Sequence, residues 1–306
     1  MLTFPIKRLL PGTWFLALVL VGSQAGNAWA QTPSATAAVE QNAAALLDKH
    51  AALAAQLAGS PFGRPLFLDS SETADRVNGN AYAVLDSPFS IFSATFKSPK
   101  HWCDVMMLHL NTKYCRETAD ASPSLLNVNI GKKTAQSLAD SYALEFAFRL
   151  ASASPNYLAL QLRADKGPLG TSDYRIELKA VPLADGKTFM HLRYSYGYGL
   201  PGRLAMQGYL ATLGSGKVGF TQTGQEKKPG HIGGVRGIVE RNTMRYYLAI
   251  EAYMASLGSP PAEQLNARLA HWFDATEQYP LQLHEMDKAS YLAMKKSEYQ
   301  RLQSGS

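Results

Sequence analysis

The sequence predicts an α+β fold: an antiparallel β-sheet, a long α-helix near the C-terminus packed on it, and extra helices at both ends. Five segments between residues 126 and 198 alternate apolar with polar side chains at period two, the mark of strands with one buried and one wet face. Lys166-Gly167-Pro168 and Ala184-Asp185-Gly186-Lys187 supply hairpin turns between them, so a doubly wound parallel sheet is excluded. The stretch 232–257 repeats Val235, Ile238, Val239, Tyr246, Ile250, Tyr253 and Leu257 at three- and four-residue steps, and Gly258, Pro260 and Pro261 close it. A helix with so wide an apolar face belongs against that sheet.

The chain opens with Lys7 and Arg8, an apolar run from Trp14 to Val21, and Ala28-Trp29-Ala30. This is the order of a secretory signal peptide cleaved after Ala30, and the run is too short for a comfortable membrane span. A periplasmic address is expected. The expected organisation is a signal peptide over 1–30, a helical lead-in over 31–65, a main domain over 66–258 and a helical extension over 259–306. Without the leader the 30 basic residues fall to 28 against 24 acidic ones, a net charge of +4. Both signs are scattered and no run of five like charges occurs, which argues against nucleic acid as a partner. Cys103 and Cys115 are the only cysteines. An oxidising compartment favours a disulfide between them; free thiols and a metal site with His101, Asp104 and His109 are the rivals, the latter at no standard zinc spacing.

Residues 31–36 are small and polar, suiting a disordered lead-in. Ala37 to Ala58 forms an alanine-rich helix with a thin apolar stripe, stopped at Gly59-Ser60-Pro61. Its stripe docks on the domain or on a partner. Residues 77–85 form a strand. Asp86-Ser87-Pro88 supplies an N-cap and a first-turn proline for a helix reaching Phe96, and Ser98-Pro99 separates it from a short helix carrying Trp102. The alternating strands follow, centred on Val128, Phe146, Leu160, Ile176 and Tyr194. Residues 200–213 have helical character and 217–223 fit a last strand. Beyond the long helix, the stretches 262–279 and 283–303 form a helical tail broken at Pro280, which packs on the domain or binds a partner.

This order resembles the START-like, or SRPBCC, helix-grip fold. The resemblance rests on Ala83-Val84-Leu85-Asp86-Ser87-Pro88, on Ser98-Pro99-Lys100-His101-Trp102, and on the helix from Gly234 to Leu257. Ser98-Pro99 stands where the family often has Asp-Pro, and Trp102 falls near the expected place. The match spans about residues 70–257. It implies a strongly curved antiparallel sheet gripping the long helix, with a cavity between them that takes lipids, sterols, polyketides or other apolar molecules; a minority of members are enzymes. Fold alone does not settle function.

The alternation puts Tyr142, Phe146, Phe148, Tyr174, Tyr194, Tyr196 and Tyr198 on the inner face, with Tyr246 and Tyr253 on the helix opposite. A buried tyrosine hydroxyl needs a hydrogen-bond partner. A ligand or trapped water would supply it; backbone partners or a place at the rim would also serve. The helix's first half carries Arg236, Glu240, Arg241, Asn242 and Arg245. As a core helix it would show these along a solvated edge; as a cavity wall it would present them to a ligand. Arg241 and Arg245 repel at four-residue spacing unless an anion or Glu240 compensates them. His231 is placed to reach a cavity mouth. His191 and Arg193 project from the other face of the tyrosine strand, toward solvent.

The candidate ligand residues are therefore Phe146, Phe148, Tyr174, Tyr194, Tyr196, Tyr198, Arg241, Asn242, Arg245, Tyr246 and Tyr253. No G-x-S-x-G elbow, H-E-x-x-H helix or full P-loop occurs, Gly214-Ser215-Gly216-Lys217 being too short for the last. No cofactor is implied and no catalytic residue is identifiable. The expected function is a periplasmic carrier for a hydrophobic or amphipathic small molecule, a lipid foremost, with transient membrane contact. The alternatives are a cyclase or hydrolase of the same fold, and an envelope assembly protein that binds a partner through its terminal helices.

Overall fold

Eight strands form one antiparallel sheet: β1 (Leu66–Glu72), β2 (Arg76–Leu85), β3 (Thr112–Thr118), β4 (Leu125–Ile130), β5 (Tyr142–Ser154), β6 (Tyr157–Lys166), β7 (Thr171–Pro182) and β8 (Thr188–Tyr198). Their order is β1-β2-β8-β7-β6-β5-β4-β3. The computed structural model describes residues 35–118, 123–211, 216–224 and 230–304. The expected signal peptide and Gly214-Ser215 lie outside them. Register shifts at Thr112/Tyr114, Leu150/Ser152 and Ser172/Arg175 mark irregularities of the kind that bend strands and deepen the twist.

Two strands escaped the sequence reading. β1 pairs with β2 along its whole length but starts with three apolar residues and then turns polar at Asp69-Ser70-Ser71-Glu72. In β3 both Thr112 and Lys113 are fully buried, so no alternation is visible. Lys113 reaches Glu298 at 3.1 Å and the Leu110 carbonyl at 2.8 Å, which is what allows a lysine in that position.

The first helices, α1 (Ala35–Ala52) and α2 (Ala54–Ala58), cover the outer face of the sheet. Ala43, Leu46, Leu53 and Leu57 pack with Tyr157, Ala159, Val181 and Phe189 in a second, smaller core. The thin stripe thus docks on the domain. It also changes the environment expected for His191. That ring stacks on Tyr82 at 4.2 Å and meets Asn80 Oδ1 at 3.0 Å. Burial, then Lys179, Arg193 and Lys49, push it down to about 3. Only Arg193 of the pair is substantially exposed.

Between β2 and β3 run α3 (Phe89–Phe96) and α4 (Pro99–Leu108). Pro88 itself occupies the N-cap of α3 with no side-chain cap, in place of the expected Asp86 or Ser87. Trp102 is fully buried and its indole donates to the Phe96 carbonyl at 3.1 Å, joining the two helices across the Ser98-Pro99 break. A disulfide between Cys103 and Cys115 ties α4 to β3. Among the described residues no group of three His, Cys, Asp or Glu could hold a metal ion.

After β8 come α5 (Leu200–Ala211), a short ribbon of β9 (Gln222–Thr223) and β10 (Gly230–His231), and the long helix α6 (Gly234–Ser256). The strand expected over 217–223 is reduced to that ribbon. The backbone of 219–221 has other partners: Gly219 donates to Ile232 at 2.7 Å, and Phe220 and Thr221 donate to the Glu240 carboxylate at 2.6 and 2.8 Å. The chain closes with α7 (Gln264–Thr276), α8 (Pro280–Leu283) and α9 (Lys288–Ser304). Leu269, Trp272, Tyr291 and Met294 of this tail belong to the main core cluster, so it packs on the domain. Among the described residues no helix is long and apolar enough to cross a membrane.

Candidate functional site

A cavity of about 280 Å³ lies between α6 and the middle of the sheet. Its aromatic wall is built by period-two geometry. Tyr194 and Tyr196 point inward from β8, with Tyr174 from β7 and Phe146 from β5. Tyr174 stacks on Tyr196 at 5.2 Å and 17°. Tyr246 of α6 closes the wall from the helix side, 5.3 Å from the Tyr194 ring. Ile130, Leu144, Met206 and Ile238 supply aliphatic contact.

The mouth is rimmed by the β6–β7 turn and α5. Pro168, Leu169 and Thr171 face Gly202 and Met206 there. Leu169 takes a left-handed backbone conformation at φ 56°, unusual for a branched residue. Its side chain, with Leu200 and Leu204 of α5, is exposed by 59% or more. The Tyr174 hydroxyl donates to Thr171 at 2.9 Å and anchors the turn to the wall.

Polar side chains complete the lining. Arg241, Asn242 and Arg245 come from α6, His109 and Asn111 from the α4–β3 connection, and Lys133 from the β4–β5 connection. That connection is pinned at its start: Gly131 donates to the Asn111 carbonyl at 2.7 Å, and the Asn111 side chain donates to the Gly131 carbonyl at 2.6 Å. The Asn111 backbone N–H points at His109 Nδ1 at 3.3 Å, so the neutral ring carries its proton on Nε2. The Asn242 side chain adjoins both His109 and Tyr194. Burial, then Arg245, Lys295 and Lys133, hold His109 well below the usual histidine range. Burial, then Arg245, push Lys133 down to about 8, with Glu285 acting in the other direction. Burial raises Tyr194, Tyr196 and Tyr246, so all three remain protonated phenols at neutral pH.

Arg241 and Arg245 are only 2% exposed, so the expected solvated basic edge is an interior surface. Glu240 does not serve as their salt bridge to the sheet. Its fully buried carboxylate accepts from Ser70, Thr221 and two backbone N–H groups, fixing the segment before α6. Arg245 instead donates to Glu285 at 2.8 Å, and Lys133 also bonds to Glu285. Glu285 comes from the C-terminal tail.

Of the predicted ligand residues, Phe146, Tyr174, Tyr194, Tyr196, Arg241, Asn242, Arg245 and Tyr246 line this cavity. Three lie elsewhere. Phe148 is buried in the core beyond the wall. The Tyr198 hydroxyl bonds Glu72 and the Thr73 carbonyl, and burial and Glu72 push it up to about 12. Tyr253 sits a helix turn or more past the cavity, with Phe96 at 5.9 Å and the Arg268 guanidinium 3.9 Å above its ring. Tyr142, expected on the inner face, is 49% exposed near the end of β5. His231 belongs to the β9–β10 ribbon and not to the cavity wall. The sequence reading missed His109 and Lys133 as wall residues. Their positions come from pinned connections, which leave no periodic signal.

The strand order and the long α6 across the sheet give this chain the helix-grip architecture of START-like, or SRPBCC, proteins. No protein-family model matches the chain, and no curated protein matches it. Among solved structures it is similar to a norcoclaurine synthase point mutant from Thalictrum flavum, with 11% identity, TM-score 0.34 and coverage of 47% of this chain and 92% of that one. It is similar to human StAR-related lipid transfer protein 5, with 8% identity, TM-score 0.30 and coverage of 58% and 91%. The di-domain ARO/CYC BexL from the BE-7585A biosynthetic pathway gives 12% identity, TM-score 0.29 and coverage of 79% and 61%.

Proposed function

We propose that the protein is an exported carrier that holds one small amphipathic molecule between the sheet and α6. The cavity carries this reading: Tyr246, which makes no hydrogen bond to another described residue, lines it and leaves its hydroxyl for a ligand or water. At about 280 Å³ the cavity falls just below the roughly 300–1,000 Å³ of drug-sized sites. A ring system or a single short chain suits it better than a two-chain lipid.

The leader pattern over 1–30 and the Cys103–Cys115 disulfide support export to the periplasm, since disulfides persist in oxidising compartments. Leu169 in the cavity lining, and the exposed Leu200 and Leu204 on α5 beside Arg203, support transient contact with an anionic membrane during loading. A cyclase or hydrolase remains the second reading, favoured by one observation: a neutral histidine, a lysine near pH 8 and a phenol share the wall.

Native mass spectrometry of the mature protein, followed by organic extraction, tests carriage. One discrete added mass, lost on extraction and absent from a Leu144→Trp variant that fills the cavity, is expected. An adduct retained in that variant would place the ligand outside the cavity and contradict the proposal.

A further inference from the structure

We propose that ligands enter and leave the cavity through a split in the sheet between β5 and β6. This rests on the carrier reading and names the route to its site. The ladder between the two strands ends at Ala147 opposite Arg163, yet β5 starts at Tyr142 and β6 runs on to Lys166. Each strand keeps its other neighbour there. Tyr142 to Ala147 pair with β4, and Ala164 and Lys166 pair with Tyr174 and Ser172 of β7. The facing sides of β5 and β6 therefore carry no ladder along this stretch. The sequence contains a reason. Continued in the same register, Glu145 would stand opposite Asp165, and Ala143 opposite Gly167. Like charges directly opposite disfavour pairing, and glycine adds no side chain to hold two strands together. Asp165 pairs instead along its own strand, with Arg163 at 3.2 Å.

An open cleft of about 510 Å³ lies on the split, lined by Ala143, Glu145 and Ala147 of β5 and by Arg163, Asp165 and Lys166 of β6. Leu144 lines it too, and among the described residues Leu144 alone also lines the cavity between the sheet and α6. One buried leucine thus stands between the two hollows. Strands with no ladder between them can part without breaking backbone hydrogen bonds, and a leucine changes rotamer quickly. The rim beside α5 is tighter. A Cβ on Gly202 would lie 3.0 Å from the Gly170 carbonyl, and one on Gly167 would lie 2.2 Å from the Tyr174 ring. Passage there requires α5 to leave the β6–β7 turn. Passage through the split requires only that the end of the β6–β7 hairpin swing from β5. Asp173 braces that end toward the other side of the sheet: it bonds Arg76 of β2, and meets Arg163 and Arg175 at 3.1 and 3.0 Å.

The test combines amide hydrogen exchange with stopped-flow mixing of the mature protein and an uncharged fluorescent probe, N-phenyl-1-naphthylamine. In the parent protein the amides of 142–146 and 164–166 that face the split should exchange faster than those of 148–150 and 160–162. Glu145→Thr/Asp165→Thr replaces the like charges with a β-branched cross-strand pair and should slow that exchange. Probe association and dissociation should then both slow by about tenfold while Kd changes by less than about twofold, since a narrowed route acts on both directions alike. A second variant, Glu145→Cys/Asp165→Cys, closes the split by force. The chain's own cysteines are joined to each other, so a short bismaleimide bridges only the new pair. The bridge should slow both rates against the same variant capped with N-ethylmaleimide. Protected split amides in the parent protein, or unchanged rates in the bridged variant, would overturn the route while leaving the carrier reading standing. A Kd shifted by the bridge at unchanged association rate would place these residues in the bound site and overturn it as well. Failure of the probe to bind the parent protein would count against the carrier reading itself.

Discussion

The Arg245 guanidinium of α6 donates to the Glu285 carboxylate at 2.8 Å, so a residue from the C-terminal tail sets the charge at the polar part of the cavity wall. The tail is therefore part of the site's electrostatics and of the core. Trp272 of α7 is 1% exposed, and its indole donates to the Arg245 carbonyl at 3.1 Å. Trp272→Ala should cost about 3–5 kcal/mol in chemical denaturation and weaken ligand binding through displacement of Arg245. A loss below about 1 kcal/mol would mean that the tail is only loosely attached. Deletion of 262–306 should likewise yield unfolded protein, since it strips Leu269, Trp272, Tyr291 and Met294 from the core.

α6 approaches β2 so closely that Gly79 has no room for a side chain. A Cβ there would lie 2.2 Å from Thr243 Oγ1 and 3.4 Å from the Val239 carbonyl. Gly79→Ala should destabilise by about 1–3 kcal/mol through overpacking. Thr243→Ala removes the obstructing hydroxyl, so the double variant should recover part of the loss. Strict additivity in this cycle would show that the contact is absent.

Two tyrosine hydroxyls make opposite predictions. Tyr291 donates to the Leu108 carbonyl at 3.0 Å in a fully buried site, and Tyr291→Phe should cost about 1–3 kcal/mol. Tyr246 has no such partner among the described residues, so Tyr246→Phe should change the stability of ligand-free protein by less than about 0.5 kcal/mol. Equal losses in urea melts would show a hidden protein partner for Tyr246.

Acid should weaken the fold before carboxylates titrate. His191 is pushed down to about 3 in the folded state, so below pH 6.5 the unfolded chain takes up a proton that the folded chain refuses. Stability is then lost as pH falls, by about 1.4 kcal/mol per pH unit for each such histidine, and His109 adds to it in the same direction. Between pH 7 and 5, His191→Gln should lose about 2 kcal/mol less than the parent protein. Parallel pH profiles would show that His191 is protonated in the fold.

Much of the fold is legible in the sequence because its strands alternate apolar with polar side chains. From β4 through β8 the alternation is clean, and α6 carries its own start and stop. β1 and β3 are hidden, the first by its polar end and the second by a buried lysine whose partner, Glu298, lies 185 residues away. The aromatic wall is legible for the same reason as the strands: period two names the inner face of β7 and β8. Period two does not name what lies opposite a residue. It could not separate Tyr194 and Tyr196, which face the cavity, from Tyr198, which meets Glu72. The charged part of the wall is assembled from three distant segments, and Lys133 and Glu285 have no local pattern to announce them.

The most direct measurement is calorimetric titration of an uncharged apolar probe, N-phenyl-1-naphthylamine, into the mature protein and into Leu144→Trp, with thermal melting of both. The account predicts saturable one-to-one binding to the parent protein, and loss of binding in the variant at a nearly unchanged Tm. Equal binding to both proteins would mean that the space between α6 and the sheet is not where ligands go.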